Sequence, residues 1–232
     1  MGKDTLFELG KMRIYNSQTP IPIHQISELD GKTNRLGKMG AEICCEMNNT
    51  RRKKDYLLPY LSGLRIDYGW HLDRTTTLNM DDIGDVSKIF AVNEEGVKDN
   101  PVNFKKRFRV IDEDGFWQMY LLENSSTVMP TWWHGNYILR GYVFTLEDIK
   151  YLDVLTEEEK RVLSQKRLLL PQVRILDKFN ERSATVKATY WNDWEGLCRE
   201  TVKITLDRDK RVESIKTIKR DVLVEYECGI LF

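Results

Sequence analysis

Three histidines, four cysteines and one dense block of aromatic residues hold most of the chemistry open to this chain. The first constellation is Trp70-His71-Leu72-Asp73-Arg74. In an extended segment, side chains two apart share a face, so His71 and Asp73 would stand about 6.6 Å apart. An imidazole and a carboxylate so placed can share a metal, or act as a base with its orienting partner. His134 is the candidate third member, because two histidines and one carboxylate form a known metal-binding set. The competing structural reading makes His71 a half-buried residue bonded to a loop. Asp73 then opens the Thr75-Thr76-Thr77 turn.

The second constellation is aromatic. Between Phe116 and Phe144 lie Trp117, Tyr120, Trp132, Trp133, Tyr137 and Tyr142. Pro130-Thr131-Trp132-Trp133-His134-Gly135-Asn136 reads as a loop, and adjacent tryptophans cannot easily both face inward. A solvent-facing ring there could stack on a sugar, a base or a partner's apolar surface. Trp117 and Tyr142 are expected in the core. Arg140 sits in an otherwise apolar stretch, where a cation needs a partner. That partner is either an internal carboxylate such as Glu123 or Glu147, or a bound anion at the rim of a pocket. The binding candidates are therefore Trp132, Trp133, Tyr137 and Arg140.

A third, basic set comprises Arg51-Arg52-Lys53-Lys54 and the alternating Lys105, Arg107 and Arg109. Either could line a phosphate backbone. Alternation is equally what a half-exposed strand shows, and no helix-turn-helix, zinc finger or RNA-binding signature accompanies it. Nucleic acid is not an expected partner. Asp112, Asp114 and Glu123 fit three places of a calcium loop, but Gly115 falls at the wrong place, and a hairpin turn explains them better. Phosphate-cradling glycine loops, G-x-S-x-G and H-E-x-x-H are all missing from the sequence, and it implies no cofactor. With no C-x-x-C among Cys44, Cys45, Cys198 and Cys228, a zinc cluster is not expected. Cys198 and Cys228 read as small buried hydrophobes.

These residues must be positioned by a fold that hydrophobic periodicity sketches. Residues 8–15 and 41–47 read as strands separated by a Gly-, Asn- and Lys-rich loop over 30–40. Residues 104–111 and 116–123, joined by Asp112-Glu113-Asp114-Gly115, read as a β-hairpin. Residues 136–144 read as a central strand. Thr145 can cap a short helix carrying Leu146, Ile149 and Leu152. Thr156 and Glu159 form a capping box for a second, with Val162, Leu163, Leu169 and Leu170 as its buried stripe and Pro171 as its stop. From Ser183 the period changes to two. Residues 184–191, 197–206, 211–218 and 222–230 then form a meander, with Val202, Ile204 and Leu206 on its dry face. The fold class is α+β: predominantly antiparallel β, with a helical pair at about 145–170 before a C-terminal four-strand meander. Residues 1–232 are expected as one compact domain, with a possible division into 1–175 and 176–232.

Composition narrows the function classes. The 232 residues carry 36 basic and 36 acidic side chains, so the chain as a whole does not attract polyanions. The four alanines among 24 aromatics (six Trp, ten Tyr, eight Phe) argue against a helical bundle. No apolar run approaches the roughly 18 residues of a membrane span. Cysteine usage points to a cytoplasmic compartment, although a signal peptide already removed would leave no trace. Ile230-Leu231-Phe232 needs cover, from the chain or from a second copy in a homodimer. The leading expectation is a non-catalytic module that binds a small molecule, glycan or protein through its aromatic-rich loop. The alternative is a metal-dependent or His/Asp hydrolase using His71, Asp73 and His134.

Overall fold

The computed structural model describes residues 35–48, 56–77, 86–99, 104–125, 127–128, 140–164, 166, 169–177, 179–192 and 195–226. In chain order these contain α1 (Arg35–Asn48), β1 (Leu64–Ile66), β2 (Trp70–Thr77), β3 (Val86–Asn93), β4 (Phe108–Val110) and α2 (Glu113–Ser125). Then follow β5 (Thr127–Val128), β6 (Gly141–Tyr142), α3 (Glu157–Leu163), β7 (Gln172–Ile175), β8 (Ser183–Asn192), β9 (Gly196–Leu206) and β10 (Val212–Glu225). Short 3-10 turns occupy Leu58–Tyr60, Phe104–Arg107 and Leu146–Tyr151. The architecture is α+β, with every strand pairing antiparallel.

The largest sheet runs β10-β9-β8-β6, and β7 shares the same edge of β8 that β6 uses further along. Its C-terminal members are the expected meander, with one change of boundary. The segments read as two strands, 211–218 and 222–230, are joined in the single strand β10 as far as Glu225, residues 227–230 lying outside the described residues, and β7 joins the set. Val202, Ile204 and Leu206 face the core as expected. Side chains alternate across a strand, so Tyr190, Cys198 and Val202 enter one hydrophobic cluster with α1 and α2. Trp191 and Leu197 point the other way, into a smaller cluster with Ile149, Leu155 and Leu163. One face of the sheet is thus covered by α1 and α2, and the helical pair covers the Trp191–Leu197 end of the other, where Lys187 and Lys203 remain exposed. The edge strand β10 breaks register at three places and carries exposed Lys216 and Lys219. Bulges and lysines blunt an open edge against unwanted pairing.

Two expected strands are helices. Ala41, Ile43 and Met47 suggested alternation, but Cys45 is exposed, and the true inward stripe is Leu36, Met39, Ile43 and Met47 at helical spacing. α1 packs so closely that a methyl at Gly40 would collide with the Phe144 ring. The expected 104–123 hairpin is instead a 3-10 turn, the short strand β4 and α2. Asp112 opens α2, its Oδ1 accepting the N–H of Gly115 at 3.1 Å. Glu113 and Asp114 follow in the first turn, where the helix dipole favours acids. Residues 116–122, Gln118 included, are all buried, so α2 is covered around its circumference and carries no helical stripe to detect. Trp117 Nε1 donates to Leu36 O at 2.8 Å, tying α2 to α1.

The helical pair lies where expected. Asp148 accepts the backbone N–H groups of Phe144 and Thr145 at 2.8 and 2.7 Å, and Thr156 accepts from Glu159 N while Glu159 accepts from Thr156 N. α3 ends at Leu163, well before Pro171. Leu163 and Leu169 are buried, but Val162 is 38 % exposed, so the expected stripe of four is not continuous. Of the expected strand 136–144, the described part is β6 and its flanks. Residues 8–15 lie outside the described residues. So do Cys228 and the apolar C-terminus read as a dimer contact. Among the described residues, no helix is long and apolar enough to cross a membrane.

Candidate functional site

Arg140 stands directly before β6, and three elements converge on it. The alternation of β9 that buries Cys198 and Val202 also turns Glu200 inward, and only 2 % of it remains exposed. A carboxylate so placed requires charge and hydrogen-bond partners. Arg140 Nη1 forms an ion pair with Glu200 Oε1. From α2, Tyr120 Oη donates to the same oxygen at 2.7 Å, and it accepts from Arg140 Nη1 at 3.1 Å. From β8, Tyr190 Oη donates to Glu200 Oε2 at 3.4 Å, while its ring lies under the guanidinium at 4.3 Å. At the rim, Arg220 pairs with Glu195, and the Cys198 thiol points to Glu195 Oε2 at 3.6 Å.

Protonation follows from this packing. Burial pushes the Tyr120 phenol well above its ordinary value, and neighbouring Tyr142 and Glu200 push it further. Burial also raises Tyr190, against the opposing charge of Arg140. For Arg140, burial alone would lower the guanidinium, but Tyr142, Tyr120 and Glu200 outweigh it, and the net direction is upward. The raised phenols of Tyr120 and Tyr190 therefore stay neutral beside the Arg140–Glu200 ion pair. The carboxylates expected for Arg140 are engaged elsewhere: Glu123 with Lys105, and Glu147 with Lys150. Glu200, 60 residues away in sequence, takes their place.

β2 carries the second candidate. Its pairing sets His71 opposite Val92 and Asp73 opposite Phe90, so the two share one face, and both are half-buried. Asp73 Oδ1 accepts the N–H of Arg74 at 2.7 Å. His134 lies outside the described residues, as do Trp132, Trp133 and Tyr137. Among the described residues, no group of three or more His, Cys, Asp or Glu side chains could hold a metal ion. The opposite face of β2 holds a residue that sequence reasoning missed. Arg74 is 5 % exposed, donates to the Met47 carbonyl at the end of α1, and lies 5.4 Å from the Tyr56 ring centre. Its Nε and Nη1 are buried without a hydrogen-bond partner among the described residues. The signal was the alternation itself, which puts Leu72 and Arg74 on the inward face.

The basic alternation is not a strand face. Lys105 and Arg107 lie in a 3-10 turn, and Arg109 alone of the three is on β4. Arg107 pairs with Asp99 at 2.6 Å and stacks on Trp70 at 4.0 Å, while Arg109 reaches Asp67 at 3.7 Å. The set 51–54 lies outside the described residues. No protein-family model matches the chain, and neither a curated protein nor a solved structure shows significant similarity to it.

Proposed function

We propose that the protein is a non-catalytic binding module whose aromatic-rich segment, Trp132 to Tyr137, takes a small molecule, glycan or protein partner. The observation that carries this reading is the pairing of half-buried Arg140 with the buried Glu200 carboxylate. Arg140, three residues beyond the segment, is held by Glu200 of β9, Tyr190 of β8 and Tyr120 of α2. At the other end, Thr127 and Val128 pair with Lys88 and Ser87 of β3. Anchored ends lower the ordering cost that a binding segment meets when it engages a ligand. In this reading Arg140 is an anchor whose charge is matched internally, and the aromatic side chains supply the contact.

Acrylamide quenching of the full chain tests it. Trp117 is buried, so a solvent-facing Trp132 or Trp133 should add a readily quenched component to the emission of the six tryptophans. Trp132→Phe or Trp133→Phe should remove that component. If neither replacement lowers the quenchable fraction, both rings are covered and the proposal fails.

The hydrolase alternative keeps one specific support, the shared face of His71 and Asp73. Stoichiometric zinc uptake lost in both His71→Ala and His134→Ala would establish that pairing. Uptake indifferent to His134→Ala would remove it.

A further inference from the structure

A row of arginines crosses the sheet edges where β1, β4 and the start of β10 meet. Arg65 pairs directly with Arg109, and Arg109 bridges Arg211. The flanking bonds, Asp67 N to Arg107 O at 2.8 Å and Ile111 N to Gly63 O at 2.9 Å, make Arg65 and Arg109 a hydrogen-bonded pair. Such pairs have Cα atoms about 5.5 Å apart. The bond from Val110 N to Lys210 O at 2.9 Å makes Arg109 and Arg211 a non-hydrogen-bonded pair, with Cα atoms at about 4.5 Å. Residues 64, 66, 108 and 110 alternate with these and face inward, so the guanidinium groups share the outer face. Arg65 is exposed, and the side chains of Arg109 and Arg211 are 46 % and 26 % accessible.

Like charges directly opposite on adjacent strands are destabilising unless an anion lies between them. Asp67 supplies part of that charge, reaching Arg109 and pairing with Arg211. The other nearby carboxylates are Asp207 and Asp209, which act on Arg211 from the β9–β10 turn, and the exposed Glu213 two residues on. Asp207 Oδ1 is already engaged by the N–H groups of Asp209 and Arg211 at 2.9 Å. Arg65 has no ion-pair partner among the described residues. Exposed Lys106 adds a further cation, its carbonyl accepting from Arg211 Nη1 at 3.1 Å. Next to Asp67, the Tyr68 ring is 99 % exposed.

We propose that Arg65, Arg109 and Arg211 form a binding site for a ligand carrying linked phosphoryl groups. Guanidinium forks match phosphate oxygens in geometry and charge. The row is about 10 Å long between its outer Cα atoms, enough for more than one phosphoryl group. Asp67 holds two of the guanidinium groups in place, and Arg65, unpaired among the described residues, offers a third. Tyr68 gives a base a ring to stack on, if the phosphates belong to a nucleotide.

Titration calorimetry of the full chain, with sodium tripolyphosphate, orthophosphate and adenosine triphosphate as probes, tests the proposal. Tripolyphosphate should bind at least about tenfold more tightly than orthophosphate, and its affinity should fall steeply with added salt. Arg65→Gln, at an exposed position, should weaken it about fivefold or more, and Arg65→Gln with Arg109→Gln should abolish it. Lys187→Gln, on exposed β8 surface, should leave it unchanged. A gain for adenosine triphosphate over tripolyphosphate that Tyr68→Ala removes would assign the phosphates to a nucleotide. Equal affinities with no effect of Tyr68→Ala would assign them to polyphosphate itself. Absence of saturable tripolyphosphate binding, or binding untouched by the double replacement in a chain with wild-type circular dichroism, would overturn the site.

Discussion

Replacing Arg140 by methionine leaves the Glu200 carboxylate buried without its cation. Glu200 is 2 % exposed, and the side chain of Arg140 is 21 % exposed. Breaking a buried ion pair from one side costs about 3–5 kcal/mol. Tyr120 still donates at 2.7 Å and Tyr190 at 3.4 Å, and Arg140 is partly solvated, so the lower end applies. Arg140→Met should therefore destabilise by about 3 kcal/mol. For a domain of this size, that lowers the melting temperature by about 6–12 °C. Glu200→Met alone should cost somewhat less, since Arg140 can turn its charge toward solvent. Removing both partners leaves no orphaned charge, so the double variant should cost at least about 1 kcal/mol less than the sum of the singles. Urea denaturation followed by circular dichroism measures all three. Additivity within about 0.5 kcal/mol would show that the pair is not coupled, and would refute the anchoring argument.

Three further outcomes follow from the same geometry. The folded-state pKa of Tyr120 is raised, so its contribution is fully present below the unfolded value of about 10 and is lost as pH rises beyond it. Stability measured between about pH 9.5 and 11.5 should therefore fall, and Tyr120→Phe should flatten that fall; an identical slope would exclude Tyr120 as its source. Gly40→Ala should destabilise by about 1–3 kcal/mol in the same urea assay, because its methyl meets the Phe144 ring and lies 3.1 Å from Trp117 Cζ2. Arg74→Met should cost clearly less than Arg140→Met, because it removes a buried cation whose Nε and Nη1 have no hydrogen-bond partner among the described residues.

Periodicity served well wherever one face of an element is wet. The alternation of β8 and β9 and the Thr156–Glu159 capping box are local signals, and the structure carries both. It failed where burial is all-round. α2 is covered on every side, so its residues show neither a period of two nor of 3.6, and its β-favouring aromatics suggested strands. The acids at 112–114 were legible either as a turn or as a helix start, and only the packing of Phe116 to Leu122 decides between them. α1 was obscured by the chance spacing of Ala41, Ile43 and Met47. The need of Arg140 for a partner could be read from its apolar surroundings. The identity of that partner could not, because Glu200 reaches it only through the pairing of β8 and β9. The arginine row is invisible for the same reason: Arg65, Arg109 and Arg211 are far apart in sequence, and strand register alone aligns them.

The proposed binding role rests on Arg140 fixing one end of the aromatic segment. Acrylamide quenching of Arg140→Met, held below its melting temperature and compared with the unmodified chain, tests that link most directly. Release of the anchor should change the Trp132 and Trp133 component, identified by the Phe replacements, while buried Trp117 stays protected. Quenching of Trp132 and Trp133 that is identical with and without the Arg140 guanidinium would contradict the account.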